Sequence, residues 1–153
     1  MYLTAIIDWY TRLIVGRNLS DTLDTFYVME VVKEAIKNYG VPGVINSDQG
    51  SQFTSTDYKT FLREQGIVQS MDRKSRWADN FVIERWFRSL KVEELYPNEN
   101  TTPKVLRKAI NDNIWQYNNE RPHEALTYRK SADAFNGSFG GHTSRTTQLG
   151  MAI

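Results

Sequence analysis

The chain has 153 residues, no cysteine and a formal net charge of +1, which excludes a disulfide scaffold, a thiolate zinc site and a thiol nucleophile. A composition of 40% hydrophobic and 24% charged residues is that of one soluble globular domain, not of a disordered chain. No apolar run approaches the roughly 18 residues of a membrane span and the N-terminus lacks the basic start of a secretory signal, so a cytoplasmic chain is expected; the near-neutral charge leaves any nucleic-acid contact to local patches.

The chain opens as a hairpin, with the β-branched apolar runs TAIID and RLIVG on either side of WYT. Asp8, at the end of the first run, caps the turn or pairs with Arg12. A helix is expected from Asp21 to Tyr39, with Asp21 as N-cap and Gly40 and Pro42 ending it. Its apolar positions at helical spacing are Leu23, Phe26, Tyr27, Val31, Ala35 and Ile36. A short buried strand, Gly43 to Asn46, runs into the polar loop SDQGSQFTS. A second helix from Ser55 to Gln65, the strand IVQSM and the cation-rich loop MDRKSRWADN follow. A third helix is expected from Asn80 to Glu94, and a fourth begins at Thr102-Pro103, with proline at its first position. NNERPHEAL reads as a loop. The Gly, Ser and Thr content from Asn136 onward predicts a disordered tail over 136–153 behind a core domain over 1–135. Trp9, Trp86 and Trp115 are assigned to the core. Alternating units after the hairpin predict an α/β fold with a mostly parallel sheet, whose ligands bind beyond the carboxyl ends of the strands.

Two acids stand in suitable places. Asp48 follows a buried strand and precedes Gly50; Glu84 lies one turn into the third helix. Carboxylates at a strand end and on a nearby helix can share a divalent cation, and magnesium takes one or two of them with waters and phosphate oxygens. Asn80, Glu84, Arg88 and Lys91 recur on one helical face, with Val82, Ile83, Trp86 and Leu90 behind it. The residues alone leave two readings open: a metal beside a phosphate backbone, or a solvated face with a Glu84–Arg88 ion pair worth about 0.3–0.5 kcal/mol. The segment 73–91 carries six cations against two anions, with Trp77 among them able to stack on a base. This local patch answers the objection from net charge. His123 reads as a ligand or base, or else touches phosphate or closes the helical cap together with Arg121.

The strings NSDQGSQFTS, ADNFVIERWFRSLKVE and YNNERPHEAL resemble the catalytic core of bacterial insertion-sequence transposases of the OrfB type, relatives of retroviral integrases. The 35 residues between Asp48 and Glu84 match the spacing of that family's second and third catalytic acids. Asn46, Ser75 and Ser131 depart from it, standing where the family often has histidine, glycine and proline.

The resemblance implies a ribonuclease-H-like mixed sheet with flanking helices. It implies a DDE mechanism of polynucleotidyl transfer, in which Mg²⁺ or Mn²⁺ activates water and then a DNA 3′-hydroxyl. Asp48 and Glu84 would be the catalytic metal ligands, and Lys74, Asn80, Arg88 and Lys91 would face the element's DNA end. The implied partners are element and target DNA and further transposase subunits, in a homo-oligomer. In the family the first catalytic Asp lies on a first strand at the centre of the sheet, and YLTAIIDWYTRLIVG matches the hairpin after it. The chain is therefore expected to lack that strand and to keep two of three catalytic carboxylates. Its remaining strands would then pair directly or leave open edges. Three expectations follow: an active transferase with Asp8 standing in, a non-catalytic DNA- or transposase-binding fragment, or a pseudogene product without a stable fold.

Overall fold

The computed structural model describes residues 1–71, 81–98, 102–138 and 146–152. The hairpin pairs β1 (Tyr2–Asp8) with β2 (Ile14–Ser20), antiparallel, with one irregularity between Ile6 and Ile7. Asp8 caps its turn: one carboxylate oxygen, Oδ2, accepts both the backbone N–H of Thr11 at 2.9 Å and the Thr11 hydroxyl at 2.6 Å. Arg12 takes the left-handed conformation, φ 62°, as the chain turns back.

Helix α1 (Thr25–Tyr39) starts later than expected. Its N-cap is Asp24, whose side chain accepts from the N–H of Phe26. Its buried stripe is Val28, Val31, Val32 and Ala35, while Leu23, Phe26 and Tyr27 are exposed. Gly40, at φ 87°, closes the helix as expected. Gly16 lets α1 lie close on β2, since a Cβ there would sit 2.9 Å from Val31 Cγ1.

After β3 (Val44–Ser47) come a short helix α2 (Ser51–Thr54), α3 (Thr56–Glu64) and β4 (Val68–Met71), which pairs parallel with β3. Helix α4 (Phe81–Leu90) widens into one π turn at Lys91–Leu95. Helix α5 (Pro103–Asn119) begins on the Thr102 cap with Pro103 in its first turn, as its sequence dictates. The expected loop after it holds a two-residue ribbon, β5 (Pro122–His123) with β6 (Arg129–Lys130), and then α6 (Ser131–Ser138).

The last described element lies inside the segment expected to be a tail. Thr146–Ala152 form β7, and the sheet order is β2-β1-β7-β3-β4. β7 is central, antiparallel to β1 and parallel to β3. The sheet therefore neither closes β1 directly on β3 nor leaves their inner edges open. Gly, Ser and Thr content predicts no strand here; the two main-chain edges of β1 and β3 give residues 146–152 their extended conformation.

Helices cover both faces. Successive β1 side chains alternate, so Leu3, Ala5 and Ile7 meet Ile83, Trp86, Phe87 and Leu90 of α4 and Ile110, Ile114 and Tyr117 of α5. Ile6, on the other face, joins Val28, Val31 and Val32 of α1, Tyr58 and Leu62 of α3, and Phe135 of α6. Each fully buried large apolar side chain contributes about 1.5–3 kcal/mol. Trp86 is in this core, but Trp9 and Trp115 are exposed, at 37% and 58%. Asn118 joins α5 to the sheet. Its Oδ1 accepts the N–H of Ile14 at 2.9 Å and its Nδ2 donates to the Ile14 carbonyl at 3.0 Å, both buried. Among the described residues, no helix is long and apolar enough to cross a membrane.

Candidate metal and nucleic-acid site

β3 carries the chain through the buried Asn46 and Ser47 and releases it at Asp48, which is exposed. The turn is fixed locally: Asp48 Oδ1 accepts the N–H of Gly50 at 2.8 Å, and the Gly50 carbonyl receives the N–H groups of Phe53 and Thr54 as α2 begins. The carboxylate thus stands at the carboxyl end of an interior strand, where α/β sheets bind ligands.

Glu84 lies in the first turn of α4, exposed, opposite the face that buries Ile83, Trp86, Phe87 and Leu90. Helix α4 packs on β1 and β7, and β3 is the next strand beyond β7. Arg88 is exposed on the same helix, and Lys91 is half-buried where the π turn starts. The helical face expected from the sequence therefore exists as far as Glu84 and Arg88. Lys74, Asn80 and Trp77 lie outside the described residues. No ion pair joins Glu84 to Arg88; the ion pairs among the described residues are Lys33–Glu30, Lys108–Asp112 and Arg121–Glu93. Asp48 and Glu84 are thus exposed carboxylates with no cationic side chain paired to them among the described residues, a donor set that suits a hard dication completed by waters and phosphate oxygens.

Among the described residues no group of three or more His, Cys, Asp or Glu is placed to hold a metal, and β7, Thr146–Ala152, contains no acid. Asp8 does not fill the gap. It is abreast of Thr147, which is abreast of Ile45, three residues short of Asp48. At about 3.3 Å per residue and about 4.8 Å per strand, Asp8 is roughly 10 Å back along the sheet and roughly 10 Å across it. It is also buried and committed to Thr11. The stand-in role for Asp8 is therefore excluded by register.

His123 and Arg121 close the end of α5, one of the roles their sequence left open. The His123 ring lies 4.8 Å from Tyr117, and the Arg121 guanidinium sits 5.7 Å from the same ring while pairing with Glu93. Burial lowers the His123 pKa, and nearby Arg121, Arg12 and Arg85 add to the effect, against a hydrogen bond that the ring donates to the Tyr117 backbone carbonyl. Burial likewise pushes the Tyr117 hydroxyl up to about 12. A second group of exposed cations, not expected from the sequence, is Lys104, Arg107 and Lys108 on α5, where Arg107 reaches the Leu19 carbonyl at 3.4 Å. Their spacing at i, i+3 and i+4 was the available signal.

Two family models, both of the integrase core domain, match this chain, over residues 1–76 and 65–130. The chain belongs to the integrase core family. It is similar to insertion-sequence transposases, for example the transposase for insertion sequence element IS904 of Lactococcus lactis, at 33% identity over 136 residues, covering 87% of this chain and 54% of that protein. It spans about half the length of the curated relatives it matches. Among solved structures it resembles the catalytic core domain of BIV integrase, with a TM-score of 0.72 at 18% identity over 89% of this chain and 86% of that one. It also resembles the HTLV-2 integrase catalytic core in complex with magnesium, with a TM-score of 0.65 at 19% identity over 88% and 84% of the two chains. At such identities the likeness shows the fold, the ribonuclease-H-like sheet expected from the sequence. β7 lies beyond both segments that match the integrase core models.

Proposed function

We propose that this chain is the DNA-handling core of an insertion-sequence transposase, in which Asp48 and Glu84 hold a divalent cation, Mg²⁺ or Mn²⁺, beside the phosphates of an element end. The observation that carries the reading is the pair of exposed carboxylates at the end of β3 and in the first turn of α4, free of ion pairs among the described residues, on an integrase core fold. A cation bound there supplies Lewis acidity at a phosphodiester. Arg88 and Lys91 lower the cost of bringing a polyanion to that surface, and the family resemblance assigns Lys74 and Asn80 to the same DNA contact. The partners are DNA and further transposase subunits, in the cytoplasm of a bacterium.

Asp48 and Glu84 would be two of the three carboxylates that the DDE reaction uses, and the register of Asp8 keeps it from being the third. We therefore expect residues 1–153 on their own to bind DNA without efficient strand transfer. Labelled element ends incubated with Mg²⁺ test it. The expected outcome is salt-dependent binding with cleavage no greater than that of Glu84→Gln. In the Arg88→Ala/Lys91→Ala variant the slope of log affinity against log salt should shrink by about 2. Cleavage lost specifically in Glu84→Gln would show a complete catalytic site, and an unchanged salt slope in the double variant would remove the α4 face from the DNA interface.

A further inference from the structure

Helix α4 ends in a form that helices rarely take. After Leu90 it widens over Lys91–Leu95, where the N–H of Tyr96 donates to the Lys91 carbonyl at 2.9 Å. Such wide turns are rare and occur mostly singly, within α-helices. The alternative, one more regular α turn, would present a different surface. In a regular helix residue 95 lies one turn beyond residue 91 and on nearly the same face. The wide turn carries Leu95 away from that face, and Leu95 packs against the core that holds Trp86 and Phe87. The face of Glu84, Arg88 and Lys91 is thereby kept clear of it.

Arg121 reaches the wide turn from outside the helix. Its guanidinium pairs with Glu93, in the middle of the turn. Of the ion pairs among the described residues, this one alone joins two elements; Lys33–Glu30 and Lys108–Asp112 each lie within a helix. Arg121 is itself well held. Its N–H donates to the Gln116 carbonyl at 3.0 Å, and its guanidinium lies 5.7 Å from the ring of Tyr117. Tyr117 in turn meets Trp86, with ring centroids 6.3 Å apart. The end of α5 thus grips α4 at Trp86 and again, about two turns later, at Glu93, and Lys91 lies between. With side chains 37% and 45% exposed, the ion pair adds little to stability. What it sets is the geometry of the turn.

We infer that Arg121 is a positioning residue for DNA binding: its pair with Glu93 pins the wide turn and so fixes Lys91, which begins that turn, on the face that meets DNA phosphates. This role rests on the DNA reading proposed above and specifies it. Geometry and charge predict opposite outcomes for Glu93→Ala. Removing a negative charge tightens binding to a polyanion by electrostatics alone, whereas releasing Lys91 weakens it.

The probe is a fluorescein-labelled DNA duplex, read by anisotropy with the full chain at fixed salt. Glu93→Ala and Arg121→Gln should each weaken binding as Lys91→Ala does, roughly fivefold for one phosphate contact. Adding Lys91→Ala to either should change little further, since the three act through one contact. The exchanged pair Glu93→Arg/Arg121→Glu should restore wild-type affinity. Hydrogen exchange of the Tyr96 amide should accelerate in both single variants and recover in the exchanged pair. Should Arg121→Gln not fold, Arg121→Lys replaces it: lysine keeps the charge, loses the planar contact with Tyr117 and should weaken binding likewise. Tighter or unchanged binding in Glu93→Ala, effects of Arg121→Gln and Lys91→Ala that multiply, or unaltered Tyr96 exchange would each overturn the inference. If Lys91→Ala leaves affinity unchanged, the DNA reading of α4 fails, and this role with it, whatever Tyr96 shows.

Discussion

Asp8 and Asp48 are the same residue at opposite ends of one sheet, and their surroundings assign them opposite work. At the hairpin end several polar groups serve the structure. Asp8 caps the turn through Thr11, Asn118 holds both main-chain groups of Ile14, and His123 and Arg121 pack on Tyr117. At the far end of β3, Asp48 spends one oxygen on the N–H of Gly50 and stays exposed, and Glu84 on α4 is exposed too. Carboxylates at a chemical site stay solvated until a cation arrives, whereas the buried Asp8 is held by Thr11 through Oδ2, its Oδ1 having no hydrogen-bond partner among the described residues. Burial and local partners, more than residue type, separate the ends.

The contrast can be attacked from the structural end first. Asn118→Leu leaves the N–H and carbonyl of Ile14 without partners in a buried setting, and should cost about 2–5 kcal/mol in urea unfolding. Asp8→Ala removes two hydrogen bonds from the turn and should cost about 1–3 kcal/mol, with DNA affinity of the folded fraction unchanged. A loss of Mg²⁺-dependent behaviour in Asp8→Ala would contradict the register argument. Asp48→Asn/Glu84→Gln should do the converse. Its metal-free Tm should stay within about 1 °C of wild type, and stabilisation by Mg²⁺, which follows mass action, should vanish from differential scanning fluorimetry.

The smallest effect is one of pH. Burial keeps the folded His123 below its ordinary value of 6.5. As pH falls below about 6.5 the unfolded chain takes up a proton that the folded chain resists, so stability should decline on the acid side. His123→Phe should flatten that decline, measured as the pH dependence of the urea midpoint.

The hairpin, the Thr102-Pro103 start of α5, the Gly40 stop and the exposed Asp48 after a buried strand were legible because each is a local signal. The expected Asp21 cap gives way to Asp24, whose side chain accepts the N–H of Phe26. Trp9 and Trp115 were misassigned because size does not reveal which way a side chain faces. Asn118 gave no sign, being a polar residue in a helix whose value lies in Ile14, a hundred positions earlier. The π turn at Lys91 and the placement of β7 were hidden for a related reason. Neither is written in a periodic pattern, and β7 becomes a strand only because β1 and β3 present edges on both sides.

That placement sets an order of assembly. Leu3 lies abreast of Ala152 and Val44 abreast of Thr146, so the centre of the sheet is made of contacts between residues synthesised far apart in time. A growing chain would display the inner edges of β1 and β3 through most of its synthesis, a state open to capture by chaperones or to aggregation. Such distant pairings also slow folding. The late arrival of β7 thus makes translation itself a stage at which this protein is decided.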